Sequence, residues 1–282
     1  MDETRDRAYV GRMKKLVSLA AVAAACLAFA PSAGAITFGQ LDGNTHPNVG
    51  GLFADWDPEV PGPDFLCSGT LISPTVFLTA SHCTAFLPGV GVDPDEVFVS
   101  FDSDVANDDG SFRTGAQQLP GTYHTHPRFG PHFGDGDPHD VAVVVLDNPY
   151  TGATPAALPT LNRLGRGKSL AGQRFTAVGY GDVREIKQTG PNSFFFDGAR
   201  RFVSQSFNTL TKVWLKLEMN PLKGSGGTCF GDSGGPHFLG TGAATYPARS
   251  SRSRSRATRP VARPTSTTGS TPPRRARSST IS

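Results

Sequence analysis

Short β-type segments, separated by stretches rich in glycine and proline, run through the middle of this chain. Hydrophobic and polar residues alternate over residues 67–78, and residues 97–101 form a second short strand pattern. Residues 141–146 are a continuous apolar run, which is typical of a strand buried on both faces. Residues 174–178 and 213–217 continue the strand pattern in the second half. The hydrophobic pattern therefore predicts an all-β architecture.

The composition also favours strands over helices. The 282 residues include 33 glycines and 23 prolines, which interrupt helices and mark turns. The length suits one large domain or two small ones. Residues 88–140 are rich in Asp, Gly and His, and we predict that this segment forms surface loops.

The first 35 residues have the pattern of a secretory leader. Positive charge in residues 13–15 precedes an apolar stretch over residues 16–30, and a small-residue cleavage site ends at Ala35. We therefore predict an N-terminal extension and signal peptide over residues 1–35, with translation beginning at Met13. The protein is expected to be secreted and extracellular, with no stable membrane association after the leader is removed.

The last 42 residues differ from the rest of the chain in composition. Residues 241–282 hold nine arginines, no acidic residue and no Leu, Phe, Trp or Met; since the whole chain carries +3, the remainder carries −6. Such a segment cannot build a packed core, so we predict a disordered tail rich in Arg, Ser, Pro and Thr. We interpret it as a frameshift product in preference to a genuine disordered tail, and place the folded domain at residues 36–240.

Three segments carry residues suited to nucleophilic catalysis. Residues 77–83 read FLTASHC, residues 139–146 read HDVAVVVL, and residues 228–236 read TCFGDSGGP. A serine hydroxyl becomes a good nucleophile when an imidazole takes its proton, and a carboxylate must hold that imidazole in the right tautomer. The order His82, Asp140, Ser233 differs from the order in subtilisin and in α/β-hydrolases.

Together these segments resemble the chymotrypsin/trypsin family of serine endopeptidases. Residues 177–181, AVGYG, are similar to a strand of that family, and the resemblance extends from about residue 36 to about residue 240. It implies two six-stranded antiparallel β-barrels, the second incomplete at its C-terminal end. It also implies that His82, Asp140 and Ser233 are catalytic and that the N–H groups of Gly231 and Ser233 form an oxyanion hole.

The resemblance implies two further pairs of residues. A disulfide is expected between Cys67 and Cys83, which would clamp the segment that carries His82. Cleavage after residue 35 would make Ile36 the new N-terminus, and its ammonium is expected to pair with Asp232 and order the oxyanion loop. Signal peptidase itself would then generate the active form.

The specificity pocket expected from the resemblance has Gly227 and Thr228 at its base. Gly227 stands where an aspartate would bind Lys or Arg side chains, so cleavage of the trypsin type is not predicted. An apolar or permissive pocket is favoured, although the opposite wall would come from the abnormal tail. Cys229 has no remaining partner, because the tail contains no cysteine.

No metal or cofactor is predicted. Histidines 124, 126, 132 and 139 lack the spacing of a zinc helix, and aspartates 102, 104, 108 and 109 lack the glycine and glutamate of an EF-hand loop. We predict a monomeric secreted serine endopeptidase that acts on proteins or peptides. Two alternatives stay open: an inactive truncated relative, and a secreted binding module with a basic tail. Nucleic acid is not an expected partner.

Overall fold

The computed structural model describes most of the chain between residues 36 and 240. The predicted leader, residues 1–35, and nearly all of the predicted tail lie outside the described residues, as does His132. The described residues are 36, 39–130, 138–160, 164–165, 170–185, 193–211, 213–240 and 247–248.

Six antiparallel strands in the first half close into a barrel with the order β2-β3-β4-β7-β6-β5. Alternate residues of its strands face inward, which follows from the two-residue period of a strand; in β4, Phe77 and Thr79 are buried and their neighbours are half-buried. The strands are β2 (Val49–Ala54), β3 (Asp64–Ser73), β4 (Val76–Thr79), β5 (Val97–Ser100), β6 (Leu119–Thr125) and β7 (Ala142–Leu146). The core includes Leu52, Leu71, Phe77, Val99 and Val144.

The barrel confirms the all-β class but differs from the sequence prediction in three places. The β-rich stretch 67–78 belongs to two strands, β3 and β4, joined by a turn. The strand predicted at 97–101 is confirmed as β5, but the prediction of surface loops in the rest of 88–140 is wrong at β6, where Gly121 and Tyr123 are buried although the strand also contains Pro, His and Thr. The apolar run of β7 is buried only at alternate residues, and Val145 is exposed on the outer face of the barrel.

The second half is built on a sheet with the order β1-β11-β8-β13-β14, and β12 also pairs with β11. Within the described residues this sheet is open. Closure into a barrel is therefore observed for the first half and not for the second. Strand β14 falls inside the segment predicted to be a disordered tail. The strands are β1 (Gln40–Leu41), β8 (Arg174–Gly179), β11 (Arg201–Leu210), β12 (Leu215–Leu217), β13 (His237–Leu239) and β14 (Pro247–Ala248).

The remaining elements are short. Strands β9 (Val183–Glu185) and β10 (Ser193–Phe195) form a separate antiparallel pair. The helical turns are α1 (Ser81–Thr84), α2 (Leu87–Val90) and a 3-10 turn at Pro221–Lys223. Over the described part of the chain, none of the helices has the length and apolar character needed to span a membrane.

A buried arginine joins the two halves. The Arg200 side chain is 0 % exposed, and its Nη1 donates to the carbonyl oxygens of Val49 (2.9 Å) and Phe101 (2.8 Å) in the first half. Nη1 also lies 3.1 Å from the Tyr180 hydroxyl in the second half. Its charge is balanced by Asp42, whose carboxylate accepts from Arg200 Nε at 2.8 Å. This network fixes the barrel and the open sheet against each other, and the candidate site uses residues from both.

Candidate active site

His82 lies on α1, the single helical turn that follows β4. The next residue, Cys83, is bonded to Cys67 of β3 with a Cα–Cα distance of 6.2 Å, so the expected disulfide is present. It ties α1 to the neighbouring strand, and both sulfur atoms are buried in a small cluster with Ala80. The chain therefore has little freedom on either side of His82.

Asp140 holds His82 through two hydrogen bonds. His82 Nδ1–H donates to Asp140 Oδ2 at 2.8 Å, and the His82 backbone N–H donates to Oδ1 at 2.9 Å. The two side chains are 38 % and 11 % exposed, so the imidazole reaches solvent while the carboxylate is largely covered. Burial acts to raise the pKa of Asp140, but the hydrogen bonds from His82 and Ser81 outweigh it and the pKa is lowered. Asp140 is therefore an anion at neutral pH.

Ser233 lies on a tight turn that packs against the segment before His82. The Gly235 N–H donates to the Asp232 carbonyl at 3.0 Å, which closes the turn. Gly234 has φ +78°, and a Cβ there would meet the Thr79 hydroxyl and lie 2.9 Å from the Ala80 nitrogen. Only glycine fits this close approach. The contact brings the turn carrying Ser233 against the two residues that lead into α1.

Gly231 shapes the chain on the other side of Ser233. It has φ +88°, and a Cβ there would lie 2.8 Å from Phe65 Cε1. Its carbonyl oxygen accepts from the backbone N–H (3.0 Å) and the hydroxyl (2.8 Å) of Ser68, which anchors the loop to β3. Within the described part of the chain, neither the Gly231 N–H nor the Ser233 N–H donates to another residue.

The chain also matches a known protein family. The family model described as Trypsin matches residues 59–253, which is more than half of the chain. The chain belongs to the trypsin family. The matched range begins later and ends later than the range of about 36 to 240 that the motifs indicated, and it includes the segments of His82, Asp140 and Ser233.

In this trypsin-family chain Asp232, next to Ser233, is a buried carboxylate. Its oxygens accept from the backbone N–H groups of Gly181 (2.9 Å) and Cys229 (2.8 Å), and no cation among the described residues contacts it. Burial raises the pKa of Asp232 to about 7. Burial likewise raises the pKa of nearby Asp182 to about 6.

Ile36, expected to pair with Asp232, is buried but lies a short way along the sheet. Its side chain packs in a small cluster with Ala177 and Val203, whereas Asp232 contacts Gly179. Ala177 and Gly179 lie on the same face of β8, two residues apart. Among the described residues, no ion pair joins Ile36 and Asp232, and the activation pair stays a prediction.

The residues expected at the base of the specificity pocket lie beside Met219. Gly227 is buried, and a Cβ there would overlap the Met219 Cε methyl. Thr228 is half-buried. The sequence analysis did not single out Met219, because it lies in a loop without a strand pattern.

The one group of possible metal ligands found among the described residues includes both cysteines of the disulfide. Cys67, His82 and Cys83 offer atoms within 4.8 Å of one another, but the two sulfurs are bonded together and so are not thiolates. Of the histidines considered for zinc, His126 and His139 stack with ring centroids 4.9 Å apart.

Proposed function

We propose that this chain is a secreted serine endopeptidase in which Ser233 is the nucleophile, His82 the general base and Asp140 the residue that orients His82. The observation that carries the proposal is the two-bond contact between His82 and Asp140, with the Ser233 turn packed on the residues just before α1. A carboxylate on Nδ1 leaves Nε2 as the basic nitrogen, which is the tautomer that proton abstraction from serine requires.

The reaction would proceed by acyl transfer. His82 Nε2 takes the Ser233 hydroxyl proton while Oγ bonds to the substrate carbonyl carbon, and the resulting oxyanion accepts from the N–H groups of Gly231 and Ser233. The C–N bond then breaks, and the leaving amine takes the proton from His82. Water attacks the acyl-enzyme with His82 again as base, which releases the carboxylic acid and restores Ser233.

Loss of one oxyanion donor costs on the order of 3 kcal/mol of transition-state stabilisation. The positive φ of Gly231 supports its part in this role, because a residue with a side chain would be strained in the conformation that aims its N–H.

We further propose that cleavage before Ile36 activates the enzyme. The buried carboxylate of Asp232, which contacts no cation in the part of the chain that the structure describes, supports this, since a new ammonium would supply a positive charge and order the adjoining oxyanion loop. The intact mass of the exported protein tests the cleavage site. A mass that corresponds to a chain beginning at any residue other than Ile36 would rule out direct activation by signal peptidase.

The open second sheet favours one alternative proposal, which is that the chain is a catalytically inactive relative of these enzymes. Strand β14 has two residues, and the described sheet has free edges that a closed barrel would lack. Catalysis is sensitive to such loss of support, because a displacement of about 1 Å can cost a hundredfold in rate.

A fluorophore-tagged phosphonate that reacts with activated serines separates the two. We expect a label on Ser233 in folded, processed protein and none in Ser233→Ala. The His82→Ala variant is a second control, because it retains the hydroxyl but lacks the base. Folded, processed protein that stays unlabelled would contradict the enzyme proposal and support the inactive relative.

A further inference from the structure

Ser81, the residue before His82, makes contacts that the proposed chemistry does not use. It is completely buried. Its hydroxyl donates to the carbonyl oxygen of Val141 at 2.6 Å and accepts from the backbone N–H of His126 at 3.0 Å. One side chain thus links three segments: α1, the residue after β6, and the residue that follows Asp140.

The backbone around Asp140 is irregular. His139 has φ +51°, a conformation that is costly for a residue with a side chain. The Val141 N–H donates back to the His139 carbonyl at 2.8 Å, so Asp140 lies at the centre of a tight turn. Regular pairing begins only with β7, at residue 142. The Asp140 carboxylate is held by His82 and by the backbone N–H of Ser81, and a contact to the irregular backbone beside it would fix the direction from which it reaches them.

Ser81 supplies that contact from the helix that carries His82. Because residues 81 and 82 are adjacent, a hydrogen bond from Ser81 to Val141 fixes the two sides of the His82–Asp140 pair relative to each other. His126 reinforces it, since its ring stacks on His139 at an interplanar angle of 17° while its N–H binds Ser81. Alanine at position 81 would remove both bonds and leave the fold of the turn otherwise similar.

We infer that Ser81 is a positioning residue, which acts through Asp140 to hold the carboxylate on His82. This inference rests on the proposed function. A misplacement of about 1 Å typically costs a hundredfold in rate. Ser81→Ala is therefore expected to lower kcat by about 10- to 100-fold and to leave KM within about twofold.

Thr84 provides a matched control on the same helix. Its hydroxyl lies 2.6 Å from that of Thr125 and 3.3 Å from the Ser81 carbonyl oxygen, so it also links α1 to β6 through a hydrogen bond, but within the described part of the chain it makes no such contact to residues 139–141. Thr84→Val should lower thermal stability about as much as Ser81→Ala, with kcat within about twofold of the parent. Equal kcat values for the two variants would overturn the inference.

A double-mutant cycle separates positioning from general loosening of the site. In an Asp140→Ala background no carboxylate remains to be positioned, so adding Ser81→Ala should lower the residual rate by less than about threefold. A loss of tenfold or more in that background would overturn the inference. A parent chain that neither hydrolyses peptides nor reacts with the phosphonate would defeat the proposed function as well, whereas an active parent with an unaffected Ser81→Ala defeats only the role of Ser81.

Discussion

Two pairs of the same kind, each a histidine bonded through Nδ1 to an aspartate, occur among the described residues with different surroundings. At the candidate active site the pair is His82 and Asp140. In the segment before β2 it is His46 and Asp42, where Asp42 also accepts the His46 backbone N–H at 3.0 Å. The local chemistry of the two pairs is nearly identical.

Their environments differ in exposure and in charge. The His82 side chain is 38 % exposed, whereas His46 is 2 % exposed and stacks on Phe238 with centroids 5.5 Å apart. Nε2 of His46 is buried with no hydrogen-bond partner among the described residues. Asp42 also faces the buried cation of Arg200. Access for a substrate, rather than the pair itself, therefore separates a potential catalyst from a structural support.

The largest expected effect is on activity at the first pair. Asp140→Asn should lower kcat by about 10⁴-fold, because the amide favours the wrong imidazole tautomer. The free energy of unfolding should fall by only about 1–2 kcal/mol, since asparagine is nearly isosteric with aspartate and keeps one accepting oxygen in this largely covered position. Peptide hydrolysis and urea unfolding of the same preparation measure both quantities. A variant that keeps a tenth of the parental kcat would show that Asp140 does not orient His82.

Replacing Asp42 in the second pair should lower the free energy of unfolding. Asp42→Ala leaves the buried charge of Arg200 without its counter-ion, which costs about 3–5 kcal/mol. Urea unfolding measures this loss. The control is Asp104→Ala, because the ion pair of Asp104 with Arg113 is exposed and such pairs contribute about 0–1 kcal/mol. Similar losses in the two variants would mean that Arg200 is not an electrostatic anchor.

The two pairs also differ in how far the sequence predicts them. The residues around His82, Asp140 and Ser233 form contiguous motifs, so the pattern alone predicted that they belong to one site, and the disulfide was predicted correctly. Arg200 and Asp42 are 158 residues apart and lie in no motif. Their pairing exists only because β1 aligns with β11, which is a tertiary contact that no local pattern encodes.

The strands were predictable to different degrees for a related reason. Segments with strong alternation, such as β4, were identified, whereas β2 was missed because it contains Gly50 and Gly51. A Cβ at Gly50 would lie 2.7 Å from the carbonyl oxygen of Ser100, so these glycines allow close packing of neighbouring strands. In a sequence, a glycine inside a strand resembles a turn residue, and only the neighbouring strands of the folded sheet show why it is there.

The third expected effect is a change with pH in the free energy of unfolding, caused by Asp232. This carboxylate is buried like that of Asp42, but no described cation contacts it as Arg200 contacts Asp42. Its pKa is about 7 in the folded chain and about 3.9 when unfolded. Between these values the folded state holds the extra proton, so stability is lost as pH rises from about 4 to 7. Relative to Asp232→Asn, the uncleaved protein should lose on the order of 4 kcal/mol across that window.

Urea unfolding at several pH values gives this difference, and taking it against the Asn variant removes the contribution of Asp182. The processed protein is the decisive control. If the Ile36 ammonium pairs with Asp232, the difference disappears after cleavage, because the paired carboxylate stays ionised. An unchanged slope in the processed protein would contradict the activation pair.

The smallest expected effect comes from replacing His46 by phenylalanine, with His82→Phe as the comparison. His46→Phe keeps an aromatic ring against Phe238, and it removes the buried Nε2, which has no hydrogen-bond partner within the described chain. The lost hydrogen bond to Asp42 costs about 1 kcal/mol, since Arg200 still balances that carboxylate. Peptide hydrolysis should stay within about twofold of the parent, while His82→Phe should abolish it with little change in stability. If His46→Phe instead lowers kcat strongly in folded protein, the buried pair is coupled to the site through Arg200, and the division between the two regions is wrong.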